Sequence, residues 1–149
     1  MPLIKKYKPF QTIKIELVSE APAKKYQLST SRDVYNMLYK EVAKLDIEHF
    51  WVIPLTTKNQ IIGINLVSMG SLTSSVIHPR EVFKPAILTN AARVVLMHNH
   101  PSGDFTPSSN DRTMTIHLRA AGDLLDIKVL DHIIITNKSY YSFDDNNWK

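Results

Sequence analysis

Val94-Val95-Leu96-Met97 is an unbroken apolar run that stops at His98-Asn99-His100-Pro101. Such a short, continuous run predicts a central strand buried on both faces, because a half-exposed strand would alternate apolar and polar residues. The chain must then supply a covering layer on each side of a sheet. At 149 residues it has the length of about one domain, on a prior of roughly 100 to 200 residues per domain. An apolar fraction of 44% with 21% charged residues is near globular averages, which argues against a disordered chain or a low-complexity fibre.

The remaining pattern mixes both periods. Residues 12–18 alternate, with Ile13, Ile15 and Leu17 on one side, as a half-buried strand does. Ser29, Thr30 and Ser31 offer N-caps for a helix whose Val34, Met37, Leu38, Val42 and Leu45 follow helical spacing, ending near Asp46. Residues 49–55 and 61–67 read as a hairpin around the polar stretch 56–60. Pro79 predicts a helix start, with Pro85 splitting or kinking that helix; Pro107 predicts another, running to about Leu125. Residues 127–136 and 140–143 close the chain as two strands. Because the elements interleave without strict βαβ alternation, the predicted class is α/β, a mixed sheet flanked by helices.

Cysteine is absent. That excludes disulfides, thiolate nucleophiles, iron-sulfur clusters and every Cys-based zinc site, so any metal must be held by His and carboxylate. No run approaches the roughly 18 to 20 apolar residues of a membrane helix, and Lys5, Lys6 and Lys8 precede no apolar signal core, so the expectation is a soluble, cytoplasmic protein without a membrane role. The formal charge of +4 is concentrated: residues 1–25 carry six lysines against Glu16 and Glu20, which accounts for all of it. Such an arm reads first as a solvated basic face and second as a nucleic-acid contact. No repeat or linker divides the chain, so residues 1–28 are read as a basic arm and strand on the globular unit of residues 29–149.

The chemistry concentrates after the central strand. Residues two apart on an extended strand share a face, so His98 and His100 present two imidazoles to one point. Asp111, early in the following helix, can bring a carboxylate oxygen there as a third ligand. Three protein ligands with one open position is the pattern of catalytic zinc. His-x-His alone is weak; the full spacing is more specific, with seven residues between His100 and Ser108 and two between Ser108 and Asp111.

That spacing resembles the JAMM motif of JAB/MPN metallopeptidases, whose further element is an upstream Glu on a strand. Glu48 matches it. Glu48-His49-Phe50, Gly70-Ser71-Leu72, His78-Pro79-Arg80-Glu81-Val82-Phe83, His98-Asn99-His100-Pro101-Ser102-Gly103-Asp104 and Leu130-Asp131-His132-Ile133-Ile134 are similar, in order and spacing, to the RadC family. The resemblance covers about residues 29–143. It implies a JAB/MPN-like three-layer sandwich related to cytidine deaminases, whose own chemistry the missing cysteines exclude. It further implies zinc on His98, His100 and Asp111, Glu48 as general base and Ser108 as oxyanion donor. The activity implied is hydrolysis of peptide or isopeptide bonds in a protein or peptide substrate. RadC-like proteins commonly carry an N-terminal helix-hairpin-helix module, whereas this sequence opens with a basic arm.

Two other classes stay open: a repair-associated nucleic-acid-binding factor, to which the family name and the arm point, and a catalytically silent protein-interaction module. Oligomeric state has no signature in the sequence. Among the other polar residues, His49 reads as packed away from Glu48, His78 as a helix cap, His117 as solvated and His132 as a buried, hydrogen-bonded structural histidine. Glu81 is a rival carboxylate in a helix. Asp104 is a supporting partner in the metal loop, and Gly103 is expected at positive φ.

Overall fold

In the computed structural model of the chain, the structure describes residues 25–73 and 76–148. The basic arm and the strand expected at residues 12–18 lie outside the described residues. Eight elements follow one another: α1 (Ser31–Val42), β1 (His49–Leu55), β2 (Asn65–Met69), α2 (Pro79–Leu88), β3 (Arg93–Asn99), α3 (Ser109–Leu124), β4 (Lys128–Ile135) and β5 (Tyr140–Ser142). The strands form one sheet in the order β2-β1-β3-β4-β5, antiparallel except for the β3/β4 pair. This is the expected mixed sheet flanked by helices.

The continuous apolar run of β3 is explained by its neighbours. Val94 and Leu96 pack with Phe50, Val52, Val82, Phe83, Met114 and Leu118, beneath α2 and α3. Val95 and Met97 point the other way, into a second core with Ile53, Leu55, Ile133 and the α1 residues Val34 and Val42. A sheet buried on both faces needs apolar residues at both parities of its central strand, and β3 has them. The result is three layers. His98, two places beyond Leu96, continues the parity that faces α3.

Three local expectations shift. The second hairpin strand begins at Asn65 rather than at residue 61, where Ile61 makes only an isolated bridge to Leu55. Pro54 accounts for the break: its carbonyl accepts from the Ile62 amide at 2.9 Å, but it has no N–H to return, so the ladder on that side lapses. Pro85 does not split α2, which runs unbroken through it. The carbonyl that loses its partner there belongs to the exposed Glu81, one turn back, where solvent can replace an amide. His78 occupies the N-cap position of α2, but its side chain makes no capping hydrogen bond. No helix among the described residues is long and apolar enough to cross a membrane.

Candidate metal centre

The C-terminal end of β3 and the N-terminal turn of α3 meet above the edge of the α2/α3 core. His98 is fully buried and His100, just past the strand, is partly exposed. Their Nε2 atoms lie 2.9 Å apart. Asp111 reaches both, with Oδ1 3.2 Å from His98 Nε2 and Oδ2 3.3 Å from His100 Nε2. Donor atoms around a tetrahedral ion with bonds of about 2.0 to 2.1 Å are roughly 3.3 Å apart. The shorter separations are near that spacing, and with one donor atom taken from each residue all lie within 4.8 Å of one another, a group able to hold an ion.

The outer nitrogens of both imidazoles are already used. His100 Nδ1 is 2.7 Å from the main-chain carbonyl of Asp104, which can only accept, so the neutral His100 ring carries its one hydrogen there and keeps Nε2 bare. Asp104 thus supports the loop through its carbonyl, while its carboxylate accepts from the Thr106 amide at 2.9 Å. Gly103, at φ +84°, makes the turn that aims this carbonyl. Burial pushes the His98 imidazole below its ordinary pKa, against the pull of Asp111. Burial acts the same way on His100, but hydrogen bonds to Asp111 and to the Asp104 carbonyl prevail and hold it above. Burial would raise Asp111; instead its contacts with His100 and His98 hold the carboxyl far below the usual range. When both imidazoles are neutral, three Lewis-basic atoms converge here, two nitrogens and a carboxylate oxygen, a donor set that suits a cation.

Asp111 is positioned by helix capping. Ser108 is the N-cap of α3; its Oγ accepts the Asp111 amide at 3.1 Å, and Asp111 Oδ2 accepts the Ser108 amide at 2.7 Å. The hydroxyl hydrogen of Ser108 remains available to donate. Glu48 immediately precedes β1, partly buried. Phe50 pairs with His98 across β1 and β3, and extending that antiparallel register by two places sets Glu48 opposite His100 on the same face. Its charge raises the pKa of both imidazoles. The Leu72 amide donates to Glu48 Oε2 at 3.1 Å. Asn99 ties the two strand ends together: Oδ1 accepts from the His49 amide at 2.7 Å, and Nδ2 donates to the Ile47 carbonyl at 3.0 Å.

The remaining polar residues fall outside the cluster. His49 stacks on Trp51 and bonds the Ile47 carbonyl through Nδ1. His117 and Glu81 are exposed. A cavity of about 940 Å³ lined by Leu28, Val34, Ile116, Asp131 and Trp148, among others, includes none of the clustered residues.

The family model described as a RadC-like JAB domain matches residues 28–148, the part of the chain that carries all of these elements. The chain belongs to the RadC-like JAB domain family. A UPF0758 protein of Moorella thermoacetica is 51% identical over 116 residues, covering 78% of this chain and 51% of its own length. UPF0758 proteins of Symbiobacterium thermophilum and Desulfitobacterium hafniense are 49% and 45% identical, covering 84% and 86% of this chain and 53% and 56% of their own lengths. The chain therefore spans about half the length of these RadC-family relatives, and their shared name states no catalytic role.

Proposed function

We propose that this RadC-like JAB domain is a metal-dependent hydrolase of peptide or isopeptide bonds, with Zn²⁺ held by His98, His100 and Asp111. The observation that carries the reading is the convergence of one donor atom each from His98, His100 and Asp111 within 4.8 Å of one another, with the other His100 nitrogen committed to a carbonyl. Two nitrogens and one oxygen with no sulfur, three protein donors among the described residues, suit a catalytic rather than a structural zinc site. When bound there, the ion supplies Lewis acidity and lowers the pKa of a coordinated water to about 7.

The chain's own residues do the rest. Glu48 holds one carboxylate oxygen against the Leu72 amide; the other is free to take a proton from the attacking water and return it to the leaving amine. Ser108 donates its hydroxyl hydrogen to the carbonyl oxygen as that oxygen gains charge. Asp111 stays ionised, because its hydrogen bonds and the neighbouring imidazoles favour the carboxylate.

The test compares two variants. Glu48→Gln retains shape but not basicity, so zinc content should match the wild type while hydrolysis of a peptide or isopeptide substrate falls by about 10² to 10⁴. Asp111→Asn should lower zinc content and activity together. A wild-type chain that takes up no zinc at micromolar concentration sinks the proposal, and loss of zinc from Glu48→Gln would make Glu48 a ligand instead of the base.

A further inference from the structure

His132 sits on β4, 0% exposed, stacked on Phe143 at 5.0 Å and meeting the Phe50 ring edge-on at 5.6 Å. Both ring nitrogens are engaged. Nε2 is 2.7 Å from His98 Nδ1, and Nδ1 is 2.6 Å from Thr115 Oγ1. Thr115, also fully buried, donates to the main-chain carbonyl of Asp111 at 2.6 Å. A chain of three contacts thus runs from His98 to Asp111 through two residues that the proposed chemistry does not use.

Each of His98, His132 and Thr115 has one hydrogen to place along this chain when the imidazoles are neutral. The Asp111 carbonyl can only accept. If Thr115 donates to it, His132 must donate from Nδ1 to Thr115, His98 must donate from Nδ1 to His132, and all three contacts are made. In the reverse direction Thr115 would turn its hydrogen toward His132, leaving two bare oxygens 2.6 Å apart in a dry interior. We infer that Thr115 and His132 are positioning residues that fix His98 as the Nδ1–H tautomer and so keep its Nε2 lone pair free for a cation. This rests on the reading of His98 as a metal ligand; without an ion the same direction holds when His100, whose Nε2 is 2.9 Å away, carries a hydrogen there for the His98 lone pair to accept.

The decisive variant is Thr115→Val, nearly the same shape with no acceptor. His132 then has no partner for a hydrogen on Nδ1, moves it to Nε2, and forces the His98 hydrogen onto Nε2, the atom that should face the ion. Nitrogen NMR of the ¹⁵N-histidine-labelled chain at pH 8 reads both tautomers directly. The metal-free wild type is expected to carry hydrogen on Nδ1 of both His98 and His132, and Thr115→Val to carry it on Nε2 of both. Zinc affinity should fall about 10- to 100-fold in Thr115→Val and return in Thr115→Ser, which restores the hydroxyl. A merely structural Thr115 would lower the melting temperature and leave tautomers and affinity unchanged. An Nε2–H His98 in the metal-free wild type overturns the inference outright. A wild type with the expected tautomers but no affinity for zinc would instead sink the metal reading and leave the relay standing.

Discussion

Ser108 and Asp111 cap each other: the serine oxygen takes the Asp111 amide at 3.1 Å while the aspartate takes the Ser108 amide at 2.7 Å through Oδ2, leaving Oδ1 to face His98. One carboxylate thereby closes a helix end and reaches both His98 and His100, and the cap itself fixes its rotamer. Ser108→Ala should cost about 1 kcal/mol of stability from the lost cap, measurable by urea denaturation. Activity should fall further than that, by about 10² or more, if the hydroxyl also donates to a developing oxyanion. An unchanged turnover would leave Ser108 a cap alone.

Zinc should act as a stabilising ligand. At a free concentration of 100 times its dissociation constant the linkage is worth about 2.7 kcal/mol, which for a domain of this size raises the melting temperature by about 5 to 10 °C. Scanning calorimetry with and without a chelator reads the shift. Asp111→Asn should lose most of it, and an equal shift in both proteins would place the ion elsewhere.

Asp131 gives a pH signature on the far side of His132. Burial pushes its carboxyl up to about 6, despite hydrogen bonds from Ser142 Oγ at 2.6 Å and from the His132 and Asp144 amides. A folded pKa above the unfolded one contributes stability that is full below about 4 and is lost as pH rises through 6. Asparagine accepts the same amides and never ionises. Asp131→Asn should therefore gain on the wild type between pH 4 and 7, by on the order of 2 kcal/mol, as read from urea midpoints across that range. A gap that does not widen with pH contradicts the assignment.

Gly122→Ala should reverse the ordinary helix rule, by which alanine gains about 1 kcal/mol over glycine. A Cβ there would stand 2.6 Å from the Ile127 carbonyl and 3.1 Å from Phe83 Cζ. The carbonyl is backbone and cannot yield cheaply, so a loss of about 2 to 3 kcal/mol is expected. Thermal unfolding of the variant measures it, and a more stable alanine variant would show that α3 shifts freely on β4.

What the sequence made legible follows from how locally each feature is determined. The β3 run declared its two buried faces because residues 94–97 are apolar at both parities, and Pro79 marked a helix start through its fixed φ, whereas the helix expected to open at Pro107 begins two residues later, at Ser109, because Ser108 takes the N-cap. The start of β2 was misplaced because the lapse of its ladder depends on which side of β1 Pro54 turns its missing donor, a fact of pairing. His98, His100 and Asp111 stood out by spacing, being close in sequence. His132 was legible as a buried, bonded histidine, but not its partners: His98 is 34 residues away and Thr115 is 17 away on a helix. Threonines spaced along a helix carry no signal that one of them orders a proton. The bonds of Asn99 to residues 47 and 49 depend on the β1/β3 register and leave no mark in its local sequence.

The parallel pairing of β3 with β4 also sets an order in time. A chain made from its N-terminus has His98, His100 and Asp111 in hand once α3 is complete, yet His132 arrives only when the chain crosses over that helix and docks as the next strand. Long-range parallel pairing is intrinsically slow, because the crossover must close before its contacts are gained. A nascent chain can thus gather His98, His100 and Asp111 before His132, the partner proposed to order the His98 proton, has been made.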